Sequence, residues 1–173
     1  LILVNQWAEN QFVDNMLNRD EGRDIGLRYF YERGFSDATI KKYHLGYALD
    51  NNSALYTAAT KQGFSPESLF ATGLCVSDKR GGGYDKYKGR VIFPIINLSG
   101  NVIAFGGRTL KNEAAKYINS PENDIYKKSS ELYGLFQARN AISKAKKCFI
   151  VEGYADVISM SHSGIDNVVA ACG

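Results

Sequence analysis

The chain has 173 residues, 45% hydrophobic and 23% charged, with a net charge of +3. That suits one folded domain, or one and part of a second, and excludes wholesale disorder. No apolar run approaches the ~18 residues of a membrane span, and the opening Leu1-Ile2-Leu3-Val4 lacks the basic flank of a signal peptide. Cys75, Cys148 and Cys172 form no C-x-x-C pair, which excludes a disulfide scaffold and an ordinary zinc module and suits a reducing cytosol.

In chain order, Val4, Ala8, Phe12 and Met16 recur every four residues, with Val13 and Leu17 beside them, and predict an amphipathic helix. A second helix is expected over residues 24–33, ending at Gly34. Ser36 then caps a short helix through Tyr43. Residues 45–49 suit a short strand and residues 54–62 a helix stopped by Gly63. Pro66 opens another helix at its first position, with Gly73 closing it. Gly81-Gly82-Gly83 reads as a mobile loop. Residues 90–96 and 101–107 then read as a hairpin around Asn97-Leu98-Ser99-Gly100, with Pro94 implying an edge position or a bulge. Residues 111–131 are polar and irregular, and residues 135–145 resume helical spacing.

The end of the chain changes character. Residues 147–151 and 167–172 are apolar runs of buried-strand type, with Glu152-Gly153 as a turn and residues 154–163 as a helix between them. That order is a βαβ unit with parallel strands, which would place Cys148 and Cys172 in a core. One such unit cannot cover both faces of its sheet, so a parallel-sheet domain is expected to continue past residue 173, and both ends of the chain read as cut. The expected class is α+β: a mixed helical and β-hairpin subdomain over residues 1–146, then the first βαβ unit of a truncated α/β subdomain over residues 147–173.

Charge is uneven along the chain. Residues 1–78 carry seven Lys/Arg against ten Asp/Glu, a net of −3; residues 79–128 carry ten against four, +6; residues 129–173 carry four against four. A basic block of this kind more often meets phosphates than builds a core. Lys86, Lys88 and Arg90 alternate and so would face one side of a strand. Arg108 follows Gly106-Gly107, whose missing side chains would let a phosphate or base approach the backbone. Lys116, Lys127 and Lys128 add charge, and Tyr84, Tyr87, Tyr117 and Tyr126 are interleaved. Cations for phosphates and rings for bases are what a single-strand track requires; a solvated basic face over half-buried tyrosines is the alternative.

Glu152 ends a predicted parallel strand, where open α/β sheets bind ligands, and Asp156 lies in the first turn of the next helix. Both carboxylates can face one crevice and suit a hard cation such as Mg²⁺. Equally, Asp156 can simply favour the helix N-terminus and Glu152 can be a surface residue. His44 and His162 lack ligand spacing, and Trp7, Phe12 and Met16 read as packing. No phosphate-binding P-loop, serine nucleophile elbow or H-E-x-x-H motif is present.

Tyr84-Asp85-Lys86-Tyr87-Lys88-Gly89-Arg90-Val91-Ile92-Phe93-Pro94 resembles a signature of bacterial replicative primases of the DnaG type. So do Phe105-Gly106-Gly107-Arg108, Lys116-Tyr117-Ile118-Asn119-Ser120-Pro121, Leu132-Tyr133-Gly134-Leu135 and the stretch from Arg28-Tyr29-Phe30 to Arg33-Gly34-Phe35. Glu152-Gly153-Tyr154-Ala155-Asp156 is similar to the first motif of the Toprim fold, shared by those primases, topoisomerases and some nucleases.

The resemblance implies a polymerase that joins ribonucleoside triphosphates on single-stranded DNA into a short RNA primer, in the bacterial cytoplasm, with Mg²⁺ or Mn²⁺ as cofactor. It implies that Lys86, Lys88, Arg90, Arg108, Lys116 and Lys128 belong to a basic surface for template and nucleotide phosphates. Asn119 would lie in that surface and Tyr154 beside the nucleotide, with Glu152 as metal ligand or acid/base group and Asp156 as a second acidic position. A zinc-binding module, a helicase-binding region and a second acidic motif would lie outside this chain, which alone is expected to be inactive. A single-stranded nucleic-acid-binding module, or a piece of another Toprim enzyme, a nuclease or topoisomerase, is the alternative.

Overall fold

A computed structural model describes residues 1–173. Helix α1 (Ile2–Asn18) buries Val4, Ala8, Phe12 and Met16 along the predicted stripe. The second helix begins earlier than expected, as a π-helical turn (Gly22–Leu27) running into α2 (Arg28–Glu32). Its glycines permit close approach. A Cβ on Gly22 would lie 1.8 Å from the Asn15 carbonyl oxygen, and one on Gly26 2.8 Å from Cβ of Tyr47. Ser36 caps α3 (Asp37–Lys42) by accepting from the Thr39 N–H, and Ser65 caps α5 (Pro66–Ala71) by accepting from that of Ser68. Between them lie β1 (Gly46–Tyr47), shorter than expected, and α4 (Ala54–Lys61).

A small hairpin follows that the sequence did not announce: β2 (Cys75–Ser77) and β3 (Gly83–Asp85) pair antiparallel. Gly81 and Gly82 form its turn, not a free loop, because the Asp78 carboxylate accepts from the N–H groups of Arg80 (2.7 Å) and Gly82 (2.9 Å).

The predicted long hairpin is present as β4 (Arg90–Ile96) and β5 (Val102–Thr109). It is the centre of a sheet ordered β1-β4-β5-β6, whose last strand β6 (Tyr117–Asn119) falls in the segment expected to be irregular. Pro94 therefore sits in an inner strand. It is tolerated because β1 pairs only with Val91 and Ile92, and the bulge lies at Ile95/Ile96, not at the proline.

All seven residues of β4 are buried because both sheet faces are covered. Val91, Phe93 and Ile95 join one apolar cluster, and Ile92 and Ile96 the other, with Phe12 of α1 edge-on to Phe105 at 5.4 Å. That strict alternation makes the run continuously apolar.

The βαβ unit is formed by β8 (Phe149–Val151), α7 (Tyr154–His162) and β9 (Val168–Ala171), with β8 and β9 parallel. A short strand, β7 (Leu132–Tyr133), pairs antiparallel with β9 and is followed by α6 (Leu135–Ala145), matching the expected helix. The overall class is α+β, as expected. Strand β8 is a correction: it lies at the sheet edge with Ile150 74% exposed, and Cys148 is exposed, because nothing in the chain packs on that side. No helix is long and apolar enough to cross a membrane.

The two units share a core. Phe93 lies 5.8 Å from both Phe30 and Tyr154, and Tyr154 lies 4.5 Å from Tyr133. Fully burying a large apolar side chain stabilises a fold by roughly 1.5–3 kcal/mol, so these rings fix where the first turn of α7 sits against β4–β6.

Candidate nucleic-acid and catalytic cleft

Strand β6 sets the site. Its antiparallel register pairs Asn119 with Gly106 and Tyr117 with Arg108. Side chains alternate along a strand, so these four positions share the face that looks toward α7. The result is a cleft of about 750 Å³ between the β5–β6 edge and the β8–α7 junction, where Arg108, Tyr117, Asn119, Glu152, Tyr154 and Asp156 meet, with Arg33 from the end of α2. Arg33 is the member that reading for sites in the sequence missed; its signal was the spacing of four from Tyr29 on one helical face.

The floor is built from the protein's own atoms. The Tyr154 ring is buried, so it does not lie free as a stacking platform. Its hydroxyl donates to Oδ1 of Asn119 at 2.9 Å, which leaves the Asn119 amide nitrogen as a donor. Gly106 is bare because a Cβ there would lie 2.3 Å from Cε2 of Tyr154. At Gly107 a Cβ would lie 2.6 Å from Cδ1 of Tyr87. The Gly-Gly pair thus admits two tyrosines and not a ligand, correcting the sequence expectation.

The basic residues divide into groups. Lys86 is half-buried, and its ammonium donates to the Asn119 carbonyl at 2.7 Å. Burial, then the neighbouring charge of Lys128, lowers its pKa. Lys86 and Lys128 thus stand at the Asn119 end of the cleft, and Lys128 Nζ is 3.8 Å from a Cβ built on Gly173.

Lys88 and Arg90 do not continue that line, because Lys86–Gly89 is a turn and Gly89 adopts φ +70°. Lys88 donates to Oδ1 of Asn52 at 2.6 Å, in a second cleft that Lys86, Arg90, Asp50 and Lys111 also line. Arg90 is a correction: its side chain is only 8% exposed. Its guanidinium donates to the carbonyls of Gly107, Ala115 and Lys116 and to the Glu113 carboxylate, so it holds the β5–β6 connection instead of offering a free charge. Lys116 is exposed on that connection, outside the cleft.

The tyrosines divide too. Tyr84 and Tyr117 are exposed, whereas Tyr87 and Tyr126 are fully buried. The Tyr87 hydroxyl lies 3.0 Å from Oγ of Ser120, and that of Tyr126 donates to the Cys172 carbonyl, so neither ring can receive a base. Burial raises the Tyr117 pKa, as does nearby Tyr29, while Arg108 and Arg33 pull it down.

Both acidic candidates line the cleft and are exposed. One Asp156 oxygen accepts from the Gly153 N–H at 3.1 Å, which is the helix-capping role weighed for it from the sequence. Glu152 accepts no hydrogen bond and forms no ion pair within the chain, so its carboxylate is available. No three His, Cys, Asp or Glu side chains gather into a metal-binding group. A hard cation such as Mg²⁺ takes one or two protein carboxylates together with phosphate oxygens, and Glu152, with the second oxygen of Asp156, fits that donor type.

Comparison with known proteins places this geometry. A family model described as the DNA primase catalytic core, N-terminal domain, matches residues 12–139. The chain is 38% identical over 174 residues to a DNA primase of Halalkalibacterium halodurans, covering 100% of this chain and 29% of that protein. It is 39% identical to one of Clostridium acetobutylicum, covering 100% and 28%. The chain therefore spans under a third of the length of these curated relatives. Among solved structures it is similar to the RNA polymerase domain of Mycobacterium tuberculosis primase DnaG, with TM-score 0.91, 34% identity, and 99% of this chain against 56% of that one. A DnaG primase catalytic domain bound to single-stranded DNA superposes with TM-score 0.87 at 32% identity, over 99% of this chain and 55% of that one.

Proposed function

The chain belongs to the family of the DNA primase catalytic core N-terminal domain, and from that membership we propose that it is the positioning part of a primase. In this reading the protein joins ribonucleoside triphosphates into a short RNA primer on single-stranded DNA, and the cleft is where the incoming nucleotide and template strand meet. The observation that carries the reading is the convergence of Arg33, Arg108, Asn119 and Glu152, from four separate stretches of sequence, on one cleft.

Each residue then has a physical task. Arg33 and Arg108 bind phosphate oxygens, the latter beside the edge of β5. Asn119, its orientation fixed by the Tyr154 hydroxyl, donates from its free amide nitrogen to a sugar or phosphate oxygen. Lys86 and Lys128 extend the positive track beyond Asn119, and exposed Lys88 and Lys116 add charge at its margins. Glu152 would hold a divalent cation, Mg²⁺ or Mn²⁺, which when bound neutralises charge on the transferring phosphoryl group and its pyrophosphate leaving group. Asp156 orders the first turn of α7 and keeps the Glu152-Gly153 turn in shape. Tyr154 packs beneath the nucleotide site and acts through Asn119. Residues 1–146 would form the template-binding subdomain and residues 147–173 the start of a Toprim subdomain. A replicative helicase and a structural Zn²⁺ module would be engaged by parts of the whole protein other than residues 1–173, in the bacterial cytoplasm.

Ribonucleotide incorporation on a single-stranded template tests this, measured with residues 1–173 and with the same residues inside a chain of the relatives' length. Incorporation is expected only in the long form, and Glu152→Gln should abolish it while leaving template affinity intact. An unaffected rate in Glu152→Gln would overturn the role given to Glu152. Template binding without incorporation in either form would support the other reading, a single-stranded nucleic-acid-binding module, which the lack of a second wholly free carboxylate beside Glu152 favours for residues 1–173 alone.

A further inference from the structure

Arg33 and Arg108 come from different elements but share one aromatic ring. The guanidinium carbon of Arg33 lies 4.9 Å from the Tyr29 ring centroid, and that of Arg108 lies 5.3 Å from it. Neither arginine belongs to any ion pair of the chain. The Arg108 guanidinium donates from Nη1 to its neighbour's carbonyl, that of Thr109, at 3.3 Å. Both guanidiniums also line the cleft, and the electron-rich face of a ring attracts a cation and holds it in place.

The Tyr29 hydroxyl takes no part in this arrangement. It is shielded from solvent and has no hydrogen-bond partner. The hydroxyls of the core tyrosines Tyr43 and Tyr133 are likewise without a partner in the chain, so each of these residues contributes its ring and not its hydroxyl. Here the ring is the part in use.

We infer that Tyr29 is a positioning residue whose ring holds Arg33 and Arg108 together as a clamp for one phosphate group of a nucleic acid or nucleotide. This rests on the phosphate-binding reading of the cleft given above. The two arginines depend on Tyr29 unequally. Arg108 has a second ring, its cross-strand neighbour Tyr117, at 5.8 Å from the centroid, whereas Arg33 has Tyr29 alone. Tyr29 and Arg33 also lie four residues apart on one helical face, where side chains meet. Loss of the ring should therefore release Arg33 more than Arg108.

The test measures affinity for a dye-labelled oligothymidylate at low salt. Tyr29→Leu should bind about tenfold more weakly, and Tyr29→Phe, which keeps the ring and drops the unpaired hydroxyl, should retain wild-type affinity. Arg33→Ala should cost little further in the Tyr29→Leu background, while Arg108→Ala should still cost several-fold. Should Tyr29→Leu fail to fold, phenylalanines of increasing ring fluorination at position 29 replace it. They keep the shape and drain the ring face of charge, so affinity should fall step by step. A flat fluorination series, or equal losses in Tyr29→Phe and Tyr29→Leu, overturns the clamp while a weakened Arg108→Ala leaves the cleft reading standing. Undiminished binding in Arg108→Ala overturns both.

Discussion

The Tyr154 hydroxyl donates to Oδ1 of Asn119 at 2.9 Å, tying the first turn of α7 to strand β6 across the floor of the cleft. The bond joins the βαβ unit to the basic hairpin sheet and decides which end of the Asn119 amide faces the open space. It exists because residue 106 has no side chain.

Gly106→Ala is accordingly expected to damage both fold and site. Its Cβ would stand 2.3 Å from Cε2 of Tyr154 and 3.1 Å from Oδ1 of Asn119, so the ring must move. Overpacking of this kind costs about 1–3 kcal/mol. Urea unfolding should show the loss, with weaker oligonucleotide binding in the protein that remains folded. An unchanged midpoint would mean that the ring yields freely.

Arg90→Lys should loosen residues 110–116 without touching the cleft. A lysine cannot reproduce the planar fork that reaches the carbonyls of Gly107, Ala115 and Lys116 together with Glu113. Leaving such acceptors unsatisfied costs about 1–3 kcal/mol. Hydrogen exchange should accelerate in residues 110–116. If oligonucleotide affinity collapsed while that segment stayed protected, Arg90 would be a phosphate ligand after all.

The pair His44–Glu9 gives the fold a pH dependence. Glu9 is buried on α1, accepts from Gln6 Nε2 at 2.7 Å, and contacts Nδ1 of His44. The Glu9 hydrogen bond, opposed by burial and aided by the Glu9 charge, raises the His44 pKa above its ordinary value. A histidine with a raised pKa in the folded state contributes stability that is complete below about pH 6.5 and fades as the pH rises through the folded value. Melting temperature should fall more steeply between pH 6 and pH 8 in the wild type than in His44→Gln. Parallel curves would show that the pair contributes nothing.

Long or capped features were legible in the sequence, and three-residue strands were not. The α1 stripe, the Ser36 cap, the Pro66 helix start, the β4–β5 hairpin and the terminal βαβ unit all carry periodicity or terminal chemistry that acts locally. Strand β6 carries neither: Tyr117-Ile118-Asn119 becomes a strand because β5 offers it an edge, which is a tertiary fact. The β2–β3 hairpin is similar, and Asp85 within it accepts from the N–H groups of Leu55 and Tyr56, supplying the start of α4 from a distant part of the chain. Spacing in the sequence cannot disclose such a cap.

The site was half legible for related reasons. Arg108, Asn119, Tyr154 and Glu152 do converge, and Arg33 joins them only because α2 ends against the same face. Lys86, Lys88 and Arg90 do line one cleft, as alternation suggested, but across a turn instead of along a strand, and of the three only Lys88 is exposed. Gly106 and Gly107 suggested room for a ligand, whereas two tyrosines occupy that room. Composition distinguishes a basic segment from an acidic one, but only packing decides which of its cations are free.

The Arg33–Arg108 side of the cleft is proposed to meet nucleic-acid phosphate. The most direct measurement is oligothymidylate affinity across a salt series, for the wild type and for Arg33→Ala/Arg108→Ala. Each phosphate contact contributes ~0.7 to the slope of log K against log salt on a single strand, and the two arginines clamp one phosphate, so the double variant should bind more weakly with a slope shallower by roughly 0.7. A slope and affinity equal to those of the wild type, in a variant that melts normally, would contradict that contact and return both arginines to a solvated surface.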